Sequence, residues 1–126
     1  MAFEIKRIYE APSPADGVRI LVDRLWPRGV RKADAHLTEW MKDVAPSPDL
    51  RLWFGHDPER FAEFRQRYEQ ELRVNPLLDG LLELGQKKRV TLLYAAHDPQ
   101  VNHALVLRNF LRRRASPAAK KVNPAQ

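Results

Sequence analysis

Apolar and polar residues along the chain follow two different periods, and these periods predict the elements of its fold. Phe3 and Ile5 are two apart in a segment, residues 3–9, that predicts a first strand. Residues 19–23 and 90–94 are nearly continuous apolar runs. Such runs are typical of strands buried on both faces of a sheet. The pattern therefore predicts two central strands and one further strand near the start of the chain.

The segments between and after these strands are predicted to be helices. Residues 37–44 have apolar positions three and four apart and predict a helix that ends before Pro46. Later helices are predicted from Asx-Pro pairs, because Asp or Asn caps a helix and proline fits its first turn. These pairs are Asp57-Pro58, Asn75-Pro76 and Asp98-Pro99.

This order of elements predicts one small α/β domain over residues 1–115. We expect a mostly parallel sheet of three to four strands, flanked by about four or five helices. The link at residues 10–17 is short for a parallel crossover, so the first strand is expected to be antiparallel or at a sheet edge. Residues 116–126 are rich in Pro, Ala and Lys and predict a basic, disordered tail.

Composition narrows the class of protein. The sequence contains no cysteine, which excludes disulfides and thiolate catalysis and suits the reducing cytoplasm. No apolar run approaches ~20 residues, so no membrane span is expected. The net charge is +6, but residues 1–111 hold 17 basic and 16 acidic side chains. The basic character therefore lies at the C-terminal end, which predicts a solvated helix end or a weak, non-specific contact with nucleic acid.

Candidate chemistry follows the two central strands. One strand ends in Asp23 and Arg24, and the other is followed by His97 and Asp98. Because parallel neighbouring strands end at the same edge of a sheet, their loops are expected to share one crevice. The N-terminus of the last helix would point into this crevice with unpaired N–H groups. Together with arginine side chains, it favours a phosphate or a carboxylate.

Each candidate residue is assigned a role, with a structural alternative beside it. Asp23 and His103 are the acid–base candidates. The predicted binding residues are Arg24, Trp26, Arg28, Trp53, His56, Tyr94, His97, Asp98 and Asn102. The alternatives are that Asp23 pairs with Arg24 or caps a turn, that Trp26 belongs to the core, and that Asp57 and Asp98 only cap helices.

Other kinds of site are excluded by spacing. The histidines have no zinc-binding spacing, so we expect no metal ion. No serine occupies a Gly-x-Ser-x-Gly turn, and the five glycines are too dispersed for a phosphate loop. We therefore expect no cofactor.

Three segments carry a family resemblance: RILVDRLWPRGVRK, LRLWFGHDPERFAEFRQRYEQEL and VTLLYAAHDPQVNHALVLRNFL. They cover most of residues 4–111 and resemble the bacterial domain of unknown function 488 (DUF488) family, in its short YeaO-like branch. The resemblance implies a small α/β domain and no particular activity. A longer branch is similar around Asp23, Arg24, Asp98 and His103 but has cysteines near Tyr94 and Asn102. Its thiol chemistry cannot apply to a chain without cysteine.

Three functions stay open at this point. The first is a cytoplasmic enzyme or binding domain for a small anionic, phosphate- or nucleotide-like ligand. The second is a nucleic-acid-associated protein that uses Arg28, Arg31, Lys32 and the basic tail. The third is a non-catalytic interaction module.

Overall fold

A parallel sheet of four strands forms the centre of the computed structural model, which describes residues 2–115. The spatial order of the strands is β1–β4–β2–β3, and all three pairings are parallel. The strands are β1 (Phe3–Arg7), β2 (Val18–Leu21), β3 (Glu39–Trp40) and β4 (Val90–Tyr94). The predicted α/β class with a small parallel sheet is confirmed.

Within residues 2–115, five α-helices flank this sheet. They are α1 (Lys32–Ala35), α2 (Pro48–Phe54), α3 (Phe61–Arg73), α4 (Leu78–Lys87) and α5 (His103–Ala115). Short 3-10 turns lie at Pro14–Asp16, Lys42–Val44 and Pro58–Arg60. No helix within residues 2–115 is long and apolar enough to cross a membrane.

The two faces of the sheet bury different sets of side chains. Ile20, Val22 and Leu92 belong to the larger core cluster, together with buried residues of α2 to α5. Leu21 and Leu93 belong to a smaller cluster, which includes Ala35 of α1. Because side chains of a strand alternate between faces, a nearly continuous apolar run supplies both clusters at once.

The first strand lies at the edge of the sheet, as expected, and it is parallel to β4. Phe3 and Val18 both pair with Val90, so β4 lies between β1 and β2. The link to β2 comes close to β4 at Gly17, where φ is +66°. A β-carbon there would overlap the carbonyl oxygen of Arg89, so this close approach requires glycine.

The predicted helix at residues 37–44 is wrong. This segment forms β3 and the 3-10 turn Lys42–Val44. Trp40 packs with the smaller cluster, whereas Met41 and Val44 pack with the larger one. These apolar residues lie three and four apart, as on one face of a helix, but they pack on opposite faces of the sheet edge.

The pairs Asp57-Pro58 and Asp98-Pro99 differ from each other in what they cap. Asp57 caps the 3-10 turn Pro58–Arg60, which runs into α3, as predicted. Asp98 instead caps a turn by accepting from Gln100 N at 2.8 Å, and α5 begins only at His103. Asn102 caps α5 by accepting a hydrogen bond from Leu105 N.

Candidate functional site

A cavity of about 620 Å³ opens at the carboxyl ends of β2 and β4. Its walls come from residues 23–28 after β2, residues 95–98 after β4, and residues 101–103 at the start of α5. The opposite wall comes from residues 45–46, the end of α2 and Phe64 of α3. Two strands that end side by side thus place their loops around one cavity, where open α/β sheets bind ligands.

Asp23 and His103 meet at the inner end of this cavity. His103 Nε2 lies 3.1 Å from Asp23 Oδ1 and 3.0 Å from the carbonyl oxygen of Val22. The second carboxylate oxygen, Oδ2, accepts a hydrogen bond from Ala95 N at 3.0 Å. Asp23 therefore connects the end of β2 to both the loop after β4 and the first turn of α5.

Asn102 holds the start of α5 in place. Its Oδ1 accepts from Leu105 N, and its Nδ2 donates to the carbonyl oxygen of Asp98, each at 2.8 Å. Asn102 is buried, and both ends of its amide are used within the protein. Its structural role is therefore to orient the helix terminus that forms part of the cavity wall.

Arg24 contacts backbone carbonyl oxygens rather than Asp23. Its guanidinium lies 3.3 to 3.4 Å from the carbonyl oxygens of Ala45 and Pro46. Nη1 lies 3.5 Å from the exposed carboxylate of Asp43. The expected alternative of an Asp23–Arg24 pair is thus not the observed arrangement, and Arg24 joins the loop before α2 to the loop after β2.

Trp26 lines the cavity and also belongs to the smaller core cluster. Its ring lies edge-on to Trp40, with 5.2 Å between the ring centroids, and its Nε1 donates to the carbonyl oxygen of Val30 at 2.7 Å. Trp40 Nε1 in turn donates to the carbonyl oxygen of Asp23. The two indoles therefore stabilise the loop that carries Asp23 and Arg24.

The outer part of the cavity is more exposed. Arg28, His56, His97 and Asp98 all line it, and all four are exposed residues. Arg51, at the opposite wall, is exposed as well. Cationic and titratable side chains therefore surround the mouth, while Asp23 and His103 lie deeper.

A comparison with known proteins assigns the chain to a family. The model of the inactive DUF488-N3 subclade matches residues 2–125. The chain belongs to the DUF488-N3 family. This confirms the resemblance seen in the sequence.

Curated relatives of this DUF488 chain occur in Escherichia coli and in mycobacteria. The uncharacterised protein YeaO of Escherichia coli is 44% identical over 114 residues, covering 89% of this chain and 98% of the relative. The uncharacterised proteins Rv3073c of Mycobacterium tuberculosis and Mb3100c of Mycobacterium bovis are each 46% identical over 107 residues, covering 85% of this chain and 91% of each relative. No solved structure matches the chain.

Two of the predicted binding residues of this DUF488 chain lie away from the cavity. Tyr94 is 2% exposed in the larger core cluster, and burial raises the pKa of its hydroxyl. The ring of Trp53 stacks instead with Arg60 and Arg67, at 5.3 and 4.4 Å from their guanidinium carbons. Phe54, its neighbour in α2, lines the cavity in its place.

Other residues at the cavity were missed by sequence reasoning. Arg51, Phe54 and Phe64 form the wall contributed by α2 and α3. Arg7 supports the loop after β4, because its guanidinium donates to the carbonyl oxygens of Ala95 and Ala96 at 3.1 and 2.8 Å. Residue type alone carries no signal for these positions, since each depends on how two distant elements pack.

Among the described residues, 2–115, no serine, threonine or cysteine lines the cavity. The sequence has no cysteine, and the serines and threonines within residues 2–115 lie outside the cavity wall. Ser13 and Ser47 cap helical turns, and Thr91 donates to the carbonyl oxygen of Asp16. Within residues 2–115, no cluster of three His, Cys, Asp or Glu side chains could hold a metal ion.

Proposed function

We propose that this cavity binds a small anionic ligand, phosphate- or nucleotide-like, without converting it. The observation that carries the proposal is the convergence of Arg24, Arg28 and Arg51 on one cavity. Neither Arg28 nor Arg51 forms an ion pair within residues 2–115. Exposed guanidinium groups offer forked, charge-assisted hydrogen bonds that suit a phosphate or a carboxylate.

Two carboxylates, Asp23 and Asp98, line this cavity against three arginines. The carboxylate of Asp23 already faces Ala95 N and His103 Nε2, and that of Asp98 accepts from Gln100 N. The start of α5 adds backbone N–H groups and the positive end of a helix dipole. The net field at the cavity therefore favours an anion.

An apolar wall accompanies the arginines. Phe54 and Phe64 stack with 4.1 Å between their ring centroids, and Trp26 lies in the loop after β2. Ligand pockets of several hundred Å³ commonly combine such walls with a few polar groups. A ligand with a flat or apolar body and an anionic group matches this lining better than a bare inorganic ion does.

Binding without turnover is supported by the chemistry of the wall. The family model describes an inactive subclade, and the chain has no thiol. Asp23 and His103, the acid–base candidates, are hydrogen-bonded to the backbone just after β4 and β2, at Ala95 N and the Val22 carbonyl oxygen. We assign them to shaping and orienting the cavity. The absence of cysteine also supports the cytoplasm as its compartment.

The nucleic-acid alternative is less well supported. Arg31 pairs with Asp34 at 3.0 Å. Arg112, near the end of α5, donates to the carbonyl oxygen of Phe3 at the start of β1. The basic residues at 28–32 and those at the end of α5 thus lie at opposite ends of the sheet and form no continuous basic face. Residues 116–126, the predicted tail, lie outside the described residues.

A thermal-shift and calorimetric screen tests the proposal. The probes are inorganic phosphate, sulfate and the 5′-monophosphates of adenosine, guanosine, cytidine and uridine. We expect at least one nucleotide to raise the melting temperature, since a ligand at ~100 times its Kd adds about 2.7 kcal/mol. Arg28→Ala and Arg51→Ala should each weaken this binding while leaving the melting temperature of the free protein unchanged.

Arg65→Ala is the matched control, because Arg65 is an exposed arginine of α3 outside the cavity wall. It should bind the same nucleotide as tightly as the wild type does. The proposal is wrong if no probe stabilises the wild type. Turnover of the bound nucleotide by the purified protein would contradict the non-catalytic part alone.

A further inference from the structure

The two acceptors beside the His103 ring determine which of its nitrogens carries the proton. Both neighbours of Nε2, the Val22 carbonyl oxygen at 3.0 Å and Asp23 Oδ1 at 3.1 Å, are hydrogen-bond acceptors. Two acceptors can face one ring nitrogen favourably only when that nitrogen carries a proton. The neutral ring is therefore the Nε2–H tautomer, and Nδ1 carries the lone pair.

Nδ1 of His103 is accessible rather than buried. It has no hydrogen-bond partner within residues 2–115, yet the only buried side-chain N or O atom without a partner there is Asp23 Oδ1. Nδ1 is therefore accessible, and His103 lines the cavity. A neutral histidine in this state presents a hydrogen-bond acceptor to a ligand.

The other polar groups at the inner end are already in use. The amide of Asn102 donates to the carbonyl oxygen of Asp98 and accepts from Leu105 N. The carbonyl oxygens of Ala95 and Ala96 accept from Arg7. Asp23 Oδ1 has no hydrogen-bond partner within residues 2–115 either, but it is buried beside the ring of His103. Among these groups the inner end thus offers His103 Nδ1 as an accessible acceptor, whereas the mouth offers the donors of exposed arginines.

Donors at the mouth and an acceptor at the inner end favour one orientation of a bound ligand. Arg28 and Arg51 are exposed, while the side chains of His103 and Asp23 are only 17% and 15% exposed. We propose that the ligand binds with its anionic group toward the arginines at the mouth and an N–H or O–H donor against His103 Nδ1. The ligand class is a phosphate monoester on a donor-bearing body, such as a nucleoside monophosphate. This inference rests on the anion-binding function proposed above.

The tautomer of His103 is tested first, on the full chain without ligand. Two-bond ¹H–¹⁵N NMR of ¹⁵N-histidine-labelled protein at pH 8 distinguishes the two neutral tautomers, and His103→Gln assigns the resonance. We expect His103 to be the Nε2–H tautomer. An Nδ1–H tautomer would overturn the inference regardless of any binding result.

Binding to matched variants tests the ligand contact. Gln can place its amide nitrogen near the position of Nε2 and keeps the donor toward Val22, but it has no acceptor at the Nδ1 position. Asn can place its amide oxygen near Nδ1. We expect His103→Gln to weaken the best-binding nucleotide about fivefold or more, the loss of one hydrogen bond, with inorganic phosphate affected less than about twofold. His103→Asn should recover part of the nucleotide affinity.

His36→Gln is the control, since His36 is an exposed histidine outside the cavity wall and should bind as the wild type does. Equal losses for nucleotide and phosphate in His103→Gln, or no loss for either, would overturn the directional inference while leaving anion binding in place. Failure of every probe to bind the wild type would instead contradict the proposed function, and the inference with it.

Discussion

Asp23 and His103 join the carboxyl end of β2 to the first turn of α5, with 3.1 Å between Asp23 Oδ1 and His103 Nε2. The residues are 80 positions apart in the chain. Asp23 Oδ2 accepts a hydrogen bond from Ala95 N at 3.0 Å, whereas Oδ1 is buried beside His103 Nε2 and has no hydrogen-bond partner within residues 2–115. A carboxylate is the one side chain of this size that offers two acceptors.

Asp23→Asn should therefore destabilise the protein. An asparagine has one acceptor, so its amide N–H must face either Ala95 N–H or His103 Nε2–H. We expect a loss of about 1–3 kcal/mol in the free energy of unfolding, measured by urea denaturation. Asp98→Asn is the control, because one oxygen is enough to accept from Gln100 N, and it should cost less than about 0.5 kcal/mol. Equal losses in the two variants would count against the two-acceptor argument.

Arg24 should affect both stability and binding. Its guanidinium contacts the carbonyl oxygens of Ala45 and Pro46, so Arg24→Ala is expected to cost about 1 kcal/mol in the absence of ligand. It should also reduce the thermal shift produced by nucleotides, and Arg24→Lys should restore only part of that shift because lysine lacks the planar fork. Chemical denaturation and calorimetry measure the two effects separately. An Arg24→Ala variant with unchanged nucleotide affinity would limit Arg24 to joining the two loops.

The edge of the sheet at which the cavity opens could be predicted from the sequence, because it depends on which two strands are central and parallel. Two buried apolar runs had to be central strands, and parallel neighbours bring Asp23 and His103 to one edge. Which helical residues complete the wall could not be predicted in this way. Trp53 and Phe54 are adjacent in α2, and only the packing of α2 against α3 decides that Phe54 faces the cavity.

Segment 37–44 shows a second limit. Trp40 and Val44 are four apart, as on one face of a helix, but they contact different core clusters. A strand of two residues is too short to show the alternation of apolar and polar residues that identifies a strand. The helical spacing is therefore the stronger signal in this segment. Its hydrogen bonds from Thr38 N to Arg19 O and from Met41 N to Leu21 O are long-range features that no local pattern reveals.

Asp16 should make stability depend on acid pH. Burial alone would raise the pKa of its carboxyl, but hydrogen bonds from Ser13 N and from the cations Lys6 and Arg19 outweigh burial and hold that pKa below its ordinary value. The Arg19 contact is a buried ion pair with 2.5 Å between Nη1 and Oδ2. A lowered pKa in the folded state means stability that is present above the unfolded pKa and lost as pH falls through the folded pKa.

Asp16→Asn should therefore cost about 3 kcal/mol at pH 7, since it leaves Arg19 buried without its carboxylate. The difference from the wild type should begin to shrink at about pH 4, where the carboxyl of the unfolded chain takes up a proton, and should go on shrinking as the pH approaches the lower pKa of the folded state. Asp34→Asn, at an exposed pair with Arg31, should cost less than about 1 kcal/mol at either pH. Urea denaturation at pH 7 and pH 3 provides the comparison, and a pH-independent difference would show that the ionised carboxylate is not what stabilises this region.

Alanine substitutions at Gly17 and Gly29 distinguish the cost of backbone strain from the cost of close packing. Both have positive φ, at +66° and +79°, but a β-carbon at Gly17 would overlap the Arg89 carbonyl oxygen, whereas one at Gly29 would meet nothing within 4 Å. Gly29→Ala should cost about 1–2 kcal/mol from its left-handed backbone alone. Gly17→Ala should cost about 3 kcal/mol or more, because the crossover to β2 must also move away from β4. Denaturation midpoints of the two variants measure the difference, and similar losses would mean that residues 10–17 can shift without disturbing the pairing of β2 with β4.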